Sequence, residues 1–424
     1  MYNYIMSKNS DLNKKTKIVD FSSVAMVPGN PKYEQATSRI TPIYTKNYDP
    51  RSPYERDLHR ILHCTAYRRM KNKTQVFFAT DNDHICTRIE HVSHVASISE
   101  TIAKQLNLNL ELVSAIAYGH DLGHAPFGHQ GEYILDDIVK QYNIQSCFWH
   151  EANSLHFIDD IETLPDYHDF QRNMNLTYAV RDGIVCHCGE LDEQVIKPRN
   201  DFIDLYDIQK GGKTHPFTYE GCIVKLADKI AYLGRDIEDA LINKILTKEQ
   251  IKELEHIIQK AISYEELQEV SITILTHHFI RDLCYNSSIE KGLVFSDECF
   301  ELMNVIKHYN YDHICDHPRL RPFKKYARLI IETIFEKLDN YYGDSILSNM
   351  EKEHDLYPNL IPHFKDWLIK YTNIDLGDKI NNHCKNSVVY DINSQNDYRK
   401  LIIDFISSMT DKYAIKIFDE LIRF

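Results

Sequence analysis

LELVSAIAYGHDLGHAPFGHQGE, residues 110–132, decides how the rest of the chain is read. Its first half places Leu112, Val113, Ile116 and Ala117 at helical spacing, so it predicts an apolar helix. Glycine and proline then break the pattern, which leaves His120 and Asp121 side by side at the helix end, a natural place for ligands. Working upstream, the same 3.6-residue period joins Leu58, Ile61 and Leu62, and then Ile89, Val92, Val95, Ala96, Ile102 and Leu106. Downstream, helices are expected at about 131–142, 150–161, 175–188, 221–245, 248–287, 296–308, 323–342 and 396–423, with few alternating β runs. The predicted fold class is therefore all-α, mainly helical.

Residues 1–50 lack periodicity and carry the turns VPGNP and ITPIY, so they read as an irregular arm. A helical core follows over 51–345. The region 346–424 is rich at first in Asn, Asp, His and Pro; it is expected to hold loops and short helices before a final docking helix, packed on the core.

With 424 residues, 43% hydrophobic and 26% charged, the composition is that of a folded globular protein. The N-terminal MYNYIMSKNSDLNKKTK has no apolar core of a signal peptide, and no run of about 18 apolar residues occurs, so a cytoplasmic location away from membranes is expected. Ten scattered cysteines form no CxxC pair and are expected to be reduced. Cys186 and Cys188 flank His187, but a second Cys/His pair at zinc spacing is missing, which favours a structural reading. The net charge of −13 (49 basic against 62 acidic residues) disfavours nucleic-acid binding. Residues 51–73 run against that total, with seven Lys or Arg and two acids. They could receive a polyanion such as a triphosphate, or simply form a solvated helix face.

Two further stretches carry chemistry. His91 falls on a predicted helix with Arg88 one turn before it, and KLADKIAYLGRD, residues 225–236, sets Lys225, Asp228, Tyr232 and Asp236 along one helix face with Lys229 beside them. That face is too polar for a core stripe. His91, His120, Asp121 and Asp228 make a set of two imidazoles and two carboxylates, suited to a borderline divalent ion with coordination positions left over. Such an ion is what phosphate-ester hydrolysis needs.

His91, His120-Asp121 and Asp228 together resemble the H…HD…D pattern of HD-domain phosphohydrolases. RSPYERDLHRILHCTAYRRMKNKTQVF (51–77), TRIEHVSHV (87–95), GHDLGHAPFGHQGE (119–132), FWHEANSLHF (148–157), NLTYAVRDGI (175–184) and MTDKYA (409–414) narrow the likeness to bacterial dGTPases and related dNTP triphosphohydrolases. The resemblance implies that the four ligands hold a divalent ion, among Mn, Mg, Fe, Co, Ni and Zn, and that Arg88 and Lys229 face phosphate oxygens. It implies a catalytic pair in His129 and Glu132, with His124 and His150 as further active-site histidines. Gln75 and Asp236 are expected at the 3′-hydroxyl of the sugar, and Tyr232 at its 2′ position, unless that ring merely packs. A dNTP substrate, a homo-oligomer (hexamer or tetramer) and a nucleotide activator are also implied. Asn153 and His156 stand where the family word carries Gln and Arg, a departure that bears on substrate preference. His94 and His187 receive no role and are expected to be packed or surface histidines. Two rival readings are another HD phosphohydrolase with a different leaving group, and a nucleotide sensor or single-strand binder.

Overall fold

The computed structural model describes residues 19–42, 49–77, 82, 84–166, 168–188, 193–261, 272–343, 345–375, 377, 379 and 383–423. It is 62% helical with two small sheets, in accord with the all-α expectation. The site is carried by α2 (Pro53–His63), α4 (Arg88–Leu106), α5 (Leu110–Gly119), α6 (Gly128–Gln141), α7 (His150–His156), α8 (Tyr178–Val185) and α9 (Tyr219–Ile242); α1 (Tyr33–Thr37) and α3 (Thr65–Arg69) are short. The later helices are α10 (Lys248–Ala261), α11 (Ile272–Asn286), α12 (Asp297–Asn310), α13 (Arg321–Asp339), α14 (Ile346–Lys352), α15 (Ile361–Tyr371), α16 (Gln395–Ser408) and α17 (Asp411–Ile422). The antiparallel pairs β1 (Thr163–Pro165) with β2 (Gln171–Asn173) and β3 (Val195–Ile196) with β4 (Leu293–Val294) clip loops together.

Local chemistry sets the frame. Thr87 and Glu90 form a reciprocal capping box that starts α4, so Arg88 and His91 fall on its first turn. Asn107, at a left-handed φ of 59°, ends α4, and the Asn109 side chain caps α5 two residues later. The two helices pack closely on each other. Helix α9 lies against α4, which brings Asp228 to His91. On the other side, a Cβ at Gly183 would stand 2.5 Å from the Ile116 side chain, so only glycine lets α8 approach α5 this closely.

Several boundaries differ from the sequence reading. The arm holds a 3-10 turn and helix α1, and it buries Phe21, Ala25, Met26 and Ala36; residues 1–18 and 43–48, including part of ITPIY, lie outside the described residues. The stretch 248–287 is seen as α10 and α11, with 262–271 outside the described residues. The single final helix expected over 396–423 is two helices. Met409 is extended at φ −66° and ψ 153°, and the Thr410 side chain accepts from Tyr413 N to start α17.

The cations of 51–73 do not gather for a polyanion. Arg51 and Arg56 pair with Asp49, Arg60 donates to the Met174 carbonyl (2.6 Å), and Arg69 pairs with Glu162 (2.7 Å). Arg60 and Arg69 meet partners distant in sequence, and Arg51 and Arg56 share an acid close by.

Candidate active site

His120 continues the end of α5. Its Nδ1 lies 2.7 Å from the Ala117 carbonyl, which can only accept, so in the neutral ring the proton sits on Nδ1 and the Nε2 lone pair is left to bind. That Nε2 is buried and has no hydrogen-bond partner. Asp121 Oδ1 stands 3.4 Å from it and Asp228 Oδ1 3.9 Å. His91 Nε2 is 2.9 Å from Asp228 Oδ1 and 3.9 Å from Asp121 Oδ2. All four expected ligands thus converge from α4, the α5 end and α9.

Burial opposes ionisation of both aspartates, but the neighbouring imidazoles win. His120, His124 and Arg88 hold Asp121 well below the ordinary carboxylate range, and His91, His120 and His187 draw Asp228 down to about 2. Two carboxylates facing an orphaned imidazole lone pair suit a divalent cation, so the donor set fits the metal that an HD core implies.

Arg88 serves two sides at once. Its Nη1 donates to Asp121 Oδ2 at 2.5 Å, while Nε and Nη2 are buried without a hydrogen-bond partner. An unpaired buried guanidinium donor is costly, so these groups are ready for an anion.

A second cluster adjoins the first. The His150 and His124 rings stack with centroids 3.8 Å apart. Glu132 Oε2 lies 3.0 Å from His150 Nδ1 and 3.4 Å from His129 Nδ1, so one carboxylate serves two imidazoles. Burial works against a charge on His150, yet Glu151 and Glu132 raise it to about 10. Glu132 is correspondingly held well below its usual range, against burial, by His150 and His129. His124 goes the other way: burial, with Arg88 and His150 beside it, keeps that ring neutral.

Arg88, His91, Asp121, Asp228, His124, His129 and His150 open on one pocket of about 370 Å³, a size suited to a small ligand. Gln75, Tyr232 and Asp236 line it too. Gln75 Oε1 and Asp236 Oδ1 are buried acceptors without a partner. Burial pushes the Asp236 carboxyl up to about 7. Lys229 is placed elsewhere. With Lys225 it lines a smaller neighbouring cavity bounded by Glu193, Phe295, Phe300 and Met303, with its Nζ 5.9 Å from the Phe300 ring centre.

His187 was missed by the sequence reading, which took it for a packed or surface residue. It is buried, but against the site: its ring centre is 4.8 Å from that of His120, and its Nε2 is 3.9 Å from Asp121 Oδ1. Like His120, it donates from Nδ1 to the carbonyl three residues back, Ile184 at 2.6 Å. A histidine just past an apolar helix was the available signal, the one that singled out His120.

The departures at α7 are structural. Asn153 donates to the Gly123 carbonyl at 2.6 Å, and His156 bridges Asp160 and Asp404 at 2.8 and 2.9 Å. None of the ten cysteines forms a disulfide, and no helix among the described residues is long and apolar enough to cross a membrane.

Comparison with known proteins gives a consistent picture. The HD domain family matches residues 88–233, which hold all four candidate metal ligands. The chain is 32% identical to a deoxyguanosinetriphosphate triphosphohydrolase-like protein of Caldanaerobacter subterraneus subsp. tengcongensis, across 72% of this chain and 76% of that one. A protein of the same description in Rickettsia bellii is 31% identical across 88% of this chain and 92% of its own length. Another in Bartonella quintana is 29% identical across 95% and 96%.

Proposed function

Since the chain belongs to the deoxyguanosinetriphosphate triphosphohydrolase-like family of HD-domain proteins, we propose that it hydrolyses deoxynucleoside triphosphates to deoxynucleoside and inorganic triphosphate. One observation carries this reading: three kinds of unsatisfied buried group meet at one pocket or just behind it, His120 lying behind the lining residues Asp121 and Asp228. Arg88 offers unpaired donors, His120 an unpaired lone pair beside two carboxylates, and Gln75 and Asp236 unpaired acceptors. A ligand with anionic oxygens, an accompanying divalent cation and a sugar hydroxyl answers all three.

His91, His120, Asp121 and Asp228 would hold the ion, with His187 adjoining them. When bound, a divalent ion supplies Lewis acidity to phosphoryl oxygens. The remaining work falls to side chains. Arg88 and the His150 imidazolium grip phosphate oxygens; Lys229, outside the pocket lining, is left out of this grip. Gln75 and Asp236 accept from the 3′-hydroxyl, and the Tyr232 ring closes the space at the 2′ position. Glu132 orients His129 and His150, so an imidazole stands ready to move a proton as water attacks the α-phosphorus. A bond forms from the water oxygen to phosphorus, the bond to the 5′-oxygen breaks, and that oxygen takes a proton. Triphosphate leaves whole.

Hydrolysis in ¹⁸O-labelled water tests the reading. The label should enter triphosphate and not the deoxynucleoside; label in the nucleoside, or stepwise release of dNDP and dNMP, would exclude attack at the α-phosphorus. On family grounds the proposal extends to a cytoplasmic homo-oligomer, hexamer or tetramer, with a nucleotide activator. Light scattering with and without dNTPs checks the assembly.

A further inference from the structure

We propose that Asp411, the first residue of α17, is a positioning residue for this hydrolysis, holding the loop between His120-Asp121 and His129 in its working geometry. The inference rests on the hydrolytic reading of the site.

That loop runs against its own backbone preferences. Phe127 has a φ of +65° and Gly128 one of +58°, two successive left-handed residues. Gly128 adopts this freely, but a bulky aromatic does not, and such a residue persists only where its surroundings over-determine it. Gly128 is fixed for another reason as well, since a Cβ there would meet the Gln75 carbonyl at 3.0 Å.

The restraint comes from 284 residues away. Phe127 N donates to Asp411 Oδ1 at 2.9 Å, and the other carboxylate oxygen accepts from Thr74 N at 3.2 Å and Thr74 Oγ1 at 2.7 Å. All three partners are donors, so an acceptor-only side chain is required. The neighbouring turn adds two ties. The buried Lys73 side-chain nitrogen donates to the carbonyls of His124 and Ser407, and Asn153 Nδ2 reaches both the Gly123 carbonyl and Ser407 Oγ. The segments that deliver His124, His129 and Gln75 therefore meet on residues 407–411, none of which lines the pocket. Asp411 is buried and its side chain accepts hydrogen bonds from two backbone amides and the Thr74 hydroxyl, so its effect on chemistry passes through the loop. This also gives a use to the MTDKYA word: Thr410 starts the helix, and Asp411 turns its first residue towards the site.

D411N keeps the shape of the side chain but turns one oxygen into a donor that faces donors. The control is I417V, buried in the same helix and remote from the loop. Kinetics of triphosphate release from dGTP should show kcat of D411N reduced on the order of 10²-fold with KM changed less than about threefold, as for a misplaced catalytic group. I417V should stay near wild type in both. Adding F127G to D411N should restore part of kcat, because glycine takes the left-handed conformation without the restraint. Hydrogen exchange over residues 121–130 should quicken in D411N and not in I417V. If D411N does not fold, T74V, which removes one of the three donors, should shift kcat and exchange in the same direction by less. Wild-type kcat in a folded D411N, an equal loss in I417V, or unchanged exchange over 121–130 would overturn the proposal. Absence of triphosphate release by the wild type would instead sink the functional reading, while the exchange measurement would still decide the positioning.

Discussion

His124 and His150 lie face to face at 3.8 Å with their planes 20° apart, one ring kept neutral and the other charged. The asymmetry comes from Glu151 and Glu132 beside His150, and of the two it is Glu132 that also contacts His129. E132Q removes the carboxylate shared by His150 and His129 while preserving size. Its kcat should fall about 10²-fold or more, the usual scale of general acid–base assistance, with a smaller change in KM. Steady-state kinetics with the protein's best dNTP checks this, and an unchanged kcat would remove Glu132 from the mechanism.

The metal set makes a sharper demand. His120 to alanine or Asp228 to alanine takes away a ligand outright. Because loss of a mere supporting contact costs roughly 10–100-fold in affinity, either change should weaken metal binding by at least about 100-fold and abolish turnover. Metal content by elemental analysis reads this directly; full occupancy with lost activity would place the residue after metal binding.

Tyr232 lines the pocket on the same face of α9 as Asp228 and Asp236. Y232A should narrow the preference for dNTP over NTP, measured as the ratio of kcat/KM values. A wild-type enzyme that cleaves GTP as fast as dGTP would refute the sugar assignment.

His156 gives a prediction about stability rather than rate. It sits between Asp160 and Asp404, which raise it from 6.5 to about 9 against the effect of burial. A raised histidine stabilises the fold fully below its unfolded value of about 6.5, and the contribution fades as pH rises through about 9. H156Q should cost on the order of 2–3 kcal/mol at pH 6 and much less at pH 10. Denaturant melts at the two pH values test the difference; a gap that widens with pH would contradict it.

The proximity of site residues that lie in one contiguous word was legible. His120, Asp121, His124, His129 and Glu132 all fall within 13 positions of one another, so a single helix end and its following loop brought them together. What a single stretch does not carry is information held in other elements. Helical period put Lys229 beside Asp228, but whether that side of α9 meets the pocket or the cavity under Phe300 depends on where α12 packs. The cations of 51–73 looked available because Glu162 and the Met174 carbonyl, which take two of them, lie about a hundred residues on. The break at Met409 was hidden because apolar residues continue across it, and only the Thr410 cap marks the new start.

The ties between Thr74 or Phe127 and Asp411 close loops of 337 and 284 residues. Contacts so distant in sequence carry a large closure entropy and form after the local helices. Because domains fold from the N-terminal side during synthesis, the helices that carry the candidate metal ligands can assemble while the loop bearing His124 and His129 is still unrestrained. Competence to turn over nucleotide should therefore arrive late, as a step separable from collapse of the core, and a nascent chain that lacks α17 would bind metal before it could cleave.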